Sequence, residues 1–377
     1  MIEMGDAVAF APGGSGLAVA CRDHGIRLLE LPSRRVLATF PCLWDYTHSM
    51  AFSPDGTTLF AVGGSGDGSD LLRRWDVATH QTLPAMPWID QASSKLVRSI
   101  TPTAVAASPD GRAIAVSGGG SLPAGGTSAG LGGPSLGKPP VEIGVVRLLN
   151  TRTGALNWEY TATGGWVSSV DFSPDGKMLA CANGPVLLLD ARTGALKTTL
   201  KPVTGYVLAA AFSPDGKTLA GAGSNTVAAG WFGGLGRVTL WDVETGKILR
   251  TLNGPTGRAQ KVAFSPDGRT VAAAGSGPMK EGRDSWFGTY GTRPASEVRL
   301  WEVATGKMIW TTEGEIEAAF SMAISPDGQW LAFCDRDYVY LLDARTGKLK
   351  QIVMETVLRV RPAEPHTHKG RVPKGRP

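Results

Sequence analysis

Residue types that do acid–base, nucleophilic or metal chemistry are scarce and scattered in this 377-residue chain. Of the five histidines, His366 and His368 stand near the C-terminal end, His24 and His80 fall near turn signals, and His48 lies close to the start of an apolar strand pattern. The pair His366-Thr367-His368 has no further ligand at metal spacing, so it offers only adventitious binding. Gly66-Asp67-Gly68-Ser69-Asp70 carries the oxygen donors of a calcium loop but lacks the downstream Glu of an EF-hand, and it reads as an ordinary loop. The glycine run Ser117-Gly118-Gly119-Gly120 is not followed by Gly-Lys-Ser/Thr, which makes it a flexible loop and not a phosphate cradle. Cys21, Cys181 and Cys334 occupy similar points of apolar strands and Cys42 is isolated; with no CxxC pair, they are expected to be buried apolar residues. No catalytic residue, metal site or cofactor is expected. The remaining chemical lead is a pair of charges, Asp171 and Lys261, whose meaning depends on the elements that carry them.

Those elements follow from a repeated hairpin. Val170-Asp171-Phe172-Ser173-Pro174-Asp175-Gly176-Lys177-Met178-Leu179-Ala180 reads strand, tight turn, strand: Pro presets φ, Asp supports the turn through its side chain, and Gly takes the left-handed position. Copies stand at Ser53 to Gly56, Ser108 to Gly111, Ser213 to Gly216, Ser265 to Gly268 and Ser325 to Gly328, with a degenerate seventh at Phe10-Ala11-Pro12-Gly13-Gly14. Each unit continues into a third strand ending in a Thr-Gly turn, as in Val238-Thr239-Leu240-Trp241-Asp242-Val243-Glu244-Thr245-Gly246, and then a short fourth strand such as Ile248 to Leu252. Four strands per unit, seven times, predicts an all-β chain folded as a seven-bladed β-propeller of four-stranded antiparallel blades. The blades are placed at about 1–41, 42–85, 86–160, 161–201, 202–253, 254–313 and 314–360, followed by a basic, Pro-rich disordered tail over 361–377.

With the Phe-Ser-Pro-Asp-Gly hairpins and the Trp-Asp dipeptide at Trp241-Asp242, the chain resembles the WD-repeat β-propeller family, particularly its bacterial members. The resemblance covers about residues 1–360 and implies the fold; one such fold hosts many roles. Two departures stand out. The family's Gly-His dipeptide is missing from every unit, and the third-strand Trp occurs only at Trp75, Trp241 and Trp301, which implies blades held more by apolar packing than by a polar network. The last unit also brings its own fourth strand (Leu349 to Met354), which argues against a blade shared between both termini.

Counting back from the hairpin Phe orients the inner strand. The adjacent position holds Ala9, Ala51, Ala106, Asp171, Ala211, Ala263 and Ala323, and the third back holds Ala7, Ser49, Ala104, Ser169, Ala209, Lys261 and Ser321. These small residues are expected to line the channel, while the alternate Val8, Met50, Val105, Val170, Ala210, Val262 and Met322 pack between blades. Asp171 and Lys261 are then charged exceptions in the channel. Length variation concentrates at the end opposite the hairpins: Gly63 to Asp70, Ser117 to Gly144, Gly221 to Gly236 and Gly275 to Glu297, with the long link Pro84 to Pro102. Insertions on one face of a repeat array mark a binding face. Two of them share a motif, Trp231-Phe232-Gly233 and Trp286-Phe287-Gly288, and six residues before the hairpin Phe stand Tyr46, Trp166, Tyr206 and Arg258, the residue types of interface hot spots.

Composition narrows the partner class. The net charge of +5 resides in the tail, where six basic residues face one acid from Arg359 onward, leaving 32 basic and 32 acidic residues in the repeats. Specific nucleic-acid binding is therefore not expected. No apolar run is long enough to span a membrane and no leader-like segment opens the chain, so a cytoplasmic, monomeric propeller is expected. These readings converge on a non-enzymatic scaffold that binds a protein or peptide partner on the insertion-bearing face. The alternative is a propeller enzyme or small-ligand binder with a site at the channel mouth, where Asp171, Lys261 and Arg258 supply charge.

Overall fold

In the computed structural model the chain is all-β, seven blades of antiparallel strands in a ring. The structure describes residues 7–21, 25–42, 44, 46–64, 71–84, 86, 100–122, 141–226, 234–283, 290–312, 319, 321–334 and 338–355. Blade 1 is β1 (Val8–Phe10), β2 (Gly16–Cys21), β3 (Gly25–Glu30) and β4 (Val36–Pro41). Blade 2 is β5 (Tyr46–Phe52), β6 (Thr58–Gly64) and β7 (Leu71–Asp76), and among the described residues its fourth position holds isolated bridges, Trp75 with Thr82 and Leu72 with Met86. Blade 3 comprises β8 (Ile100–Ala107), β9 (Ala113–Leu122), β10 (Val141–Asn150) and β11 (Leu156–Thr163), and blade 4 comprises β12 (Ser169–Phe172), β13 (Met178–Ala182), β14 (Val186–Asp190) and β15 (Leu196–Leu200). Blade 5 has β16 (Tyr206–Phe212), β17 (Thr218–Ser224), β18 (Gly236–Asp242) and β19 (Ile248–Asn253). Blade 6 has β20 (Ala259–Phe264), β21 (Thr270–Arg283), β22 (Tyr290–Glu302) and β23 (Met308–Thr311), and blade 7 has β24 (Ser321–Ile324), β25 (Trp330–Cys334), β26 (Tyr338–Asp343) and β27 (Leu349–Glu355).

The hairpin forms for the reasons its residues give. In all six Ser-Pro-Asp-Gly copies the Ser hydroxyl donates to the Asp carboxylate at 2.5–2.7 Å, and that carboxylate accepts the amide two residues on at 3.0 Å. The same Ser oxygen accepts an amide of the second strand, and the Gly φ values of 69–78° include the degenerate Gly14. The turns also touch around the ring. A Cβ built on each hairpin glycine lies 3.5–3.9 Å from the proline of the preceding turn, from Pro12 against Gly56 round to Pro326 against Gly14. Seven such contacts close the circle.

Among the described residues, closure uses no strand exchange. Blades 1 and 7 are each built from consecutive strands, and they meet through an apolar cluster that includes Val8, Leu17, Val19, Ala332, Val339 and Leu341. Polar ties add register between neighbours. The Trp158 and Trp310 indoles donate to the Ala191 and Ala344 carbonyls of the next blade at 2.9 and 3.1 Å, and Arg74 and Arg250 reach Thr151 and Ala304 in the same way. The absence of the Gly-His dipeptide leaves its mark at Trp75, whose side chain is fully buried while its indole nitrogen has no hydrogen-bond partner.

One expectation is corrected. The Val/Met row does pack against the preceding blade, as Met50 does on blade 1 and Val170 on blade 3. The Ala row, however, packs as well, against the following blade: Ala9 joins the cluster of Met50 and Phe52, Ala51 that of Val105, and Ala106 that of Val170 and Phe172. These residues are small because blades are closest near the axis, where a Val or Met from the next blade already fills the gap.

Candidate functional site

The inner strands of blades 2, 3, 5 and 6 each carry one extra residue near the insertion-bearing end, as shown by register shifts between Thr47 and Ser49, Pro102 and Ala104, Val207 and Ala209, and Ala259 and Lys261. Such bulges end regular pairing and re-aim side chains. The bulges follow closely on the positions of Tyr46, Tyr206 and Arg258, and Trp166 stands at the equivalent point of blade 4. All four side chains are half-buried.

The structure brings some of these residues together. The Arg258 guanidinium lies 5.6 Å from the centre of the Tyr206 ring, a cation–π contact between adjacent blades. Burial raises the Tyr206 phenol above its ordinary pKa, opposed by the Arg258 charge. Tyr46 meets His48 edge-on at 4.9 Å between ring centres. Trp166 reaches sideways onto blade 3, where its ring fills the space a Cβ on Gly119 would need, with Cδ2 only 2.7 Å away. Trp231, Phe232, Trp286 and Phe287 lie outside the described residues, as do the Gly66–Asp70 loop, His24 and the tail. The blade 6 insertion is in large part a hairpin: β21 and β22 stay paired as far as Arg283 with Tyr290.

Sequence reasoning missed a second cation–π pair at this end, Arg73 over the Trp44 ring at 5.5 Å. The signal for it was Gly63, where a Cβ would lie 2.7 Å from Trp44 Cε3, because a glycine opposite the start of an inner strand marks a close approach. His48 was also underrated. It is the bulged residue of β5, 7% exposed, and neither ring nitrogen has a hydrogen-bond partner. Burial, followed by the Lys261 charge, holds its pKa down to about 4.

Asp171 and Lys261 do not meet. No ion pair joins them, and each has its own surroundings. Asp171 borders an open depression of about 370 Å³ lined by the inner strands of blades 4 to 7 near the hairpin end, with Phe212, Phe264, Val262, Met322 and Ile324 among its walls. Its Oδ2 accepts the Phe212 amide of the next blade at 2.8 Å, and burial pushes its pKa up to about 7 against that bond and one from the Phe172 amide. Burial lowers the pKa of Lys261, with a smaller opposing effect from Cys334. All four cysteines are buried and none is in a disulfide, and no group of metal-ligating side chains occurs among the described residues.

Three segments, 154–184, 194–231 and 246–277, match the family model described as WD domain, G-beta repeat. These matches support the WD-repeat family. Each begins at a Thr-Gly turn glycine and runs through an outer strand into the first two strands of the next blade, so the WD-repeat unit is offset from the blade. A WD repeat-containing protein SL1-17 from Schistosoma mansoni is 30% identical over 138 residues, covering 30% of this chain. The chain spans about half, 46%, of that relative's length. Nothing in the match ties the chain to bacterial members. WD-repeat propellers generally serve as protein-interaction scaffolds and are typically not enzymes. No helix among the described residues is long and apolar enough to cross a membrane.

Proposed function

We propose that this propeller is a non-enzymatic scaffold that binds a protein or peptide partner on the face bearing the long insertions. The observation that carries the reading is the rim of half-buried aromatic and Arg side chains at the insertion end of the channel: Tyr46, Trp166, Tyr206 and Arg258, with the half-buried Arg73 stacked on a buried Trp44. Aromatic rings held by packing lose little rotamer entropy on binding, and a guanidinium stacked on a ring is likewise held in place, which is the economy found in hot spots. The hairpin face offers the opposite: short turns whose Ser and Asp groups already bond one another.

The test is comparative capture from cell extract. Tyr46, Trp166 and Tyr206 are changed together to Ala, and a control on the hairpin face changes Lys177, Lys217 and Arg269 to Ala, with the fold of both followed by near-UV circular dichroism. Loss of a partner with the first variant and retention with the second supports the reading. Equal recovery with wild type and the rim variant would sink the proposed face.

A further inference from the structure

The inner-strand position just before the hairpin Phe or its equivalent is Ala in six blades, at Ala9, Ala51, Ala106, Ala211, Ala263 and Ala323, each packed into an apolar cluster. Blade 4 places a charge there, Asp171. Its Oδ2 accepts the Phe212 amide of blade 5 at 2.8 Å, which fixes the direction of the carboxyl group. A neutral side chain can make such a bond: Ser169, two residues earlier, accepts the Ala210 amide of the same strand. The bond therefore accounts for an acceptor and not for a charge. The charge also faces open space. The depression of about 370 Å³ beside it has the size of a small-ligand site, and Asp171 is the one polar side chain among the described residues that line it. Val262, Ile324 and Pro214 keep part of their surface accessible there. Local choices that contradict the surrounding scheme concentrate at functional positions.

We propose that this depression at the hairpin end of the channel binds a primary ammonium on a short unbranched alkyl stem, with Asp171 as its counter-ion. The neighbouring charges explain why the cation must come from outside. Lys177 pairs with Asp175 at 3.2 Å and Arg269 with Asp267 at 3.9 Å, while Lys217 acts on Asp215 of its own turn. Blade 7 has Gln329 at the corresponding place. Lys261, two residues further from the hairpin on blade 6, is not among the groups that act on Asp171, and no cation among the described residues pairs with it. An incoming ammonium offsets the burial of the carboxylate, and its stem lies against Val262, Met322 and Ile324. The walls also limit the choice of cation. A single carboxylate falls far short of the about six oxygens that calcium requires. One carboxyl oxygen is already taken by the Phe212 amide, which suits a point charge better than the bidentate fork of a guanidinium. The source is a free alkylamine or a lysine side chain of a second protein. Neither depends on the docking face, which lies at the other end of the channel.

The experiment uses the full chain with isotope-labelled phenylalanine amides, because the Phe212 amide donates directly to Asp171; its signal is assigned by Phe212→Leu. n-Butylamine is titrated at about pH 8.5 and constant ionic strength, where the amine is charged and Asp171, titrating at about 7, is ionised. The expected result is a saturable shift of the Phe212 signal, with no binding of n-butanol. Binding is expected to weaken at least about tenfold in Asp171→Asn, whose side-chain oxygen can still accept the Phe212 bond. It is also expected to weaken roughly tenfold at about pH 6, where about one Asp171 in ten is ionised. A blocked pentapeptide with a single Lys among glycines separates the sources. Binding of the peptide at least as tightly as the amine assigns the site to a lysine side chain; tighter binding of the amine assigns it to a free alkylammonium. A Phe212 signal unmoved by both probes, or equal affinity for n-butanol, would overturn the proposal in wild-type protein whatever the fate of the variant. Equal amine affinity in Asp171→Asn would do the same. The rim variants leave Asp171 untouched, so failure of the docking reading is seen separately.

Discussion

Two inner-strand groups, the partly buried Asp171 and the buried His48, make opposite demands on pH, and their separation is the sharpest test of the channel's electrostatics. Asp171 titrates near 7 in the folded chain against 3.8 for the ordinary group, so its contribution is fully present below 3.8 and is lost as pH rises through 7. His48 titrates near 4 against 6.5, so its contribution is present above 6.5 and is lost as pH falls toward 4. At 1.36 kcal/mol per pH unit the Asp171 displacement is worth ~4 kcal/mol and that of His48 ~3 kcal/mol, both ceilings, the more so for Asp171, which is only partly buried. In the wild type the two nearly cancel, and stability between about pH 4.5 and 7 is close to flat. Asp171→Asn leaves His48 alone, and stability then falls on acidification across that window; His48→Gln leaves Asp171 alone, and stability rises instead. Urea unfolding followed by tryptophan fluorescence at several pH values measures the slopes, and comparing slopes removes any packing cost of either substitution. The window stops above 4.5 because the hairpin aspartates, held below their ordinary range first by the Ser hydroxyls, lose their stabilisation at lower pH. Parallel curves for wild type and both variants would refute the reasoning.

Three further outcomes follow from the packing. Ser213→Ala removes the donor to Asp215 and the acceptor for the Thr218 amide at a buried position, and is expected to cost about 1–3 kcal/mol in urea unfolding. Trp310→Phe keeps a ring against Gly347 but loses the bond to the Ala344 carbonyl, an expected cost of about 1 kcal/mol by the same measurement. Gly119→Ala places a methyl where Trp166 lies and must displace the ring, costing about 1–3 kcal/mol and weakening partner capture, read by unfolding and pull-down together.

The hairpins show how much of this was legible beforehand. Ser-Pro-Asp-Gly encodes its structure locally, the Ser and Asp side chains bonding within a few residues, so its six copies and the degenerate seventh hairpin indicate the blade count and the ring. The third-strand Thr-Gly turns were equally local, with the Asp or Asn oxygen accepting the Thr amide at 2.8–2.9 Å. The rim positions could be counted from the hairpin Phe. What they touch could not, because Trp166 lies on Gly119 of another blade and Arg258 on Tyr206 of a third. The buried, unpartnered state of His48 is illegible in sequence for the same reason: a bulge is invisible to period-2 counting, and its missing partner is a fact about neighbouring blades. Strand position marks Asp171 and Lys261 as charged exceptions, but their separate surroundings depend on the neighbouring blades.

Hydrogen–deuterium exchange on the propeller with and without its captured partner tests the docking face most directly. The account predicts slowed exchange at the insertion-end starts of the inner strands, around Tyr46, Trp166 to Ser168, Tyr206 and Arg258, with the Ser-Pro-Asp-Gly turns unchanged. Protection confined to those turns, with the rim exchanging as in the free protein, would contradict it.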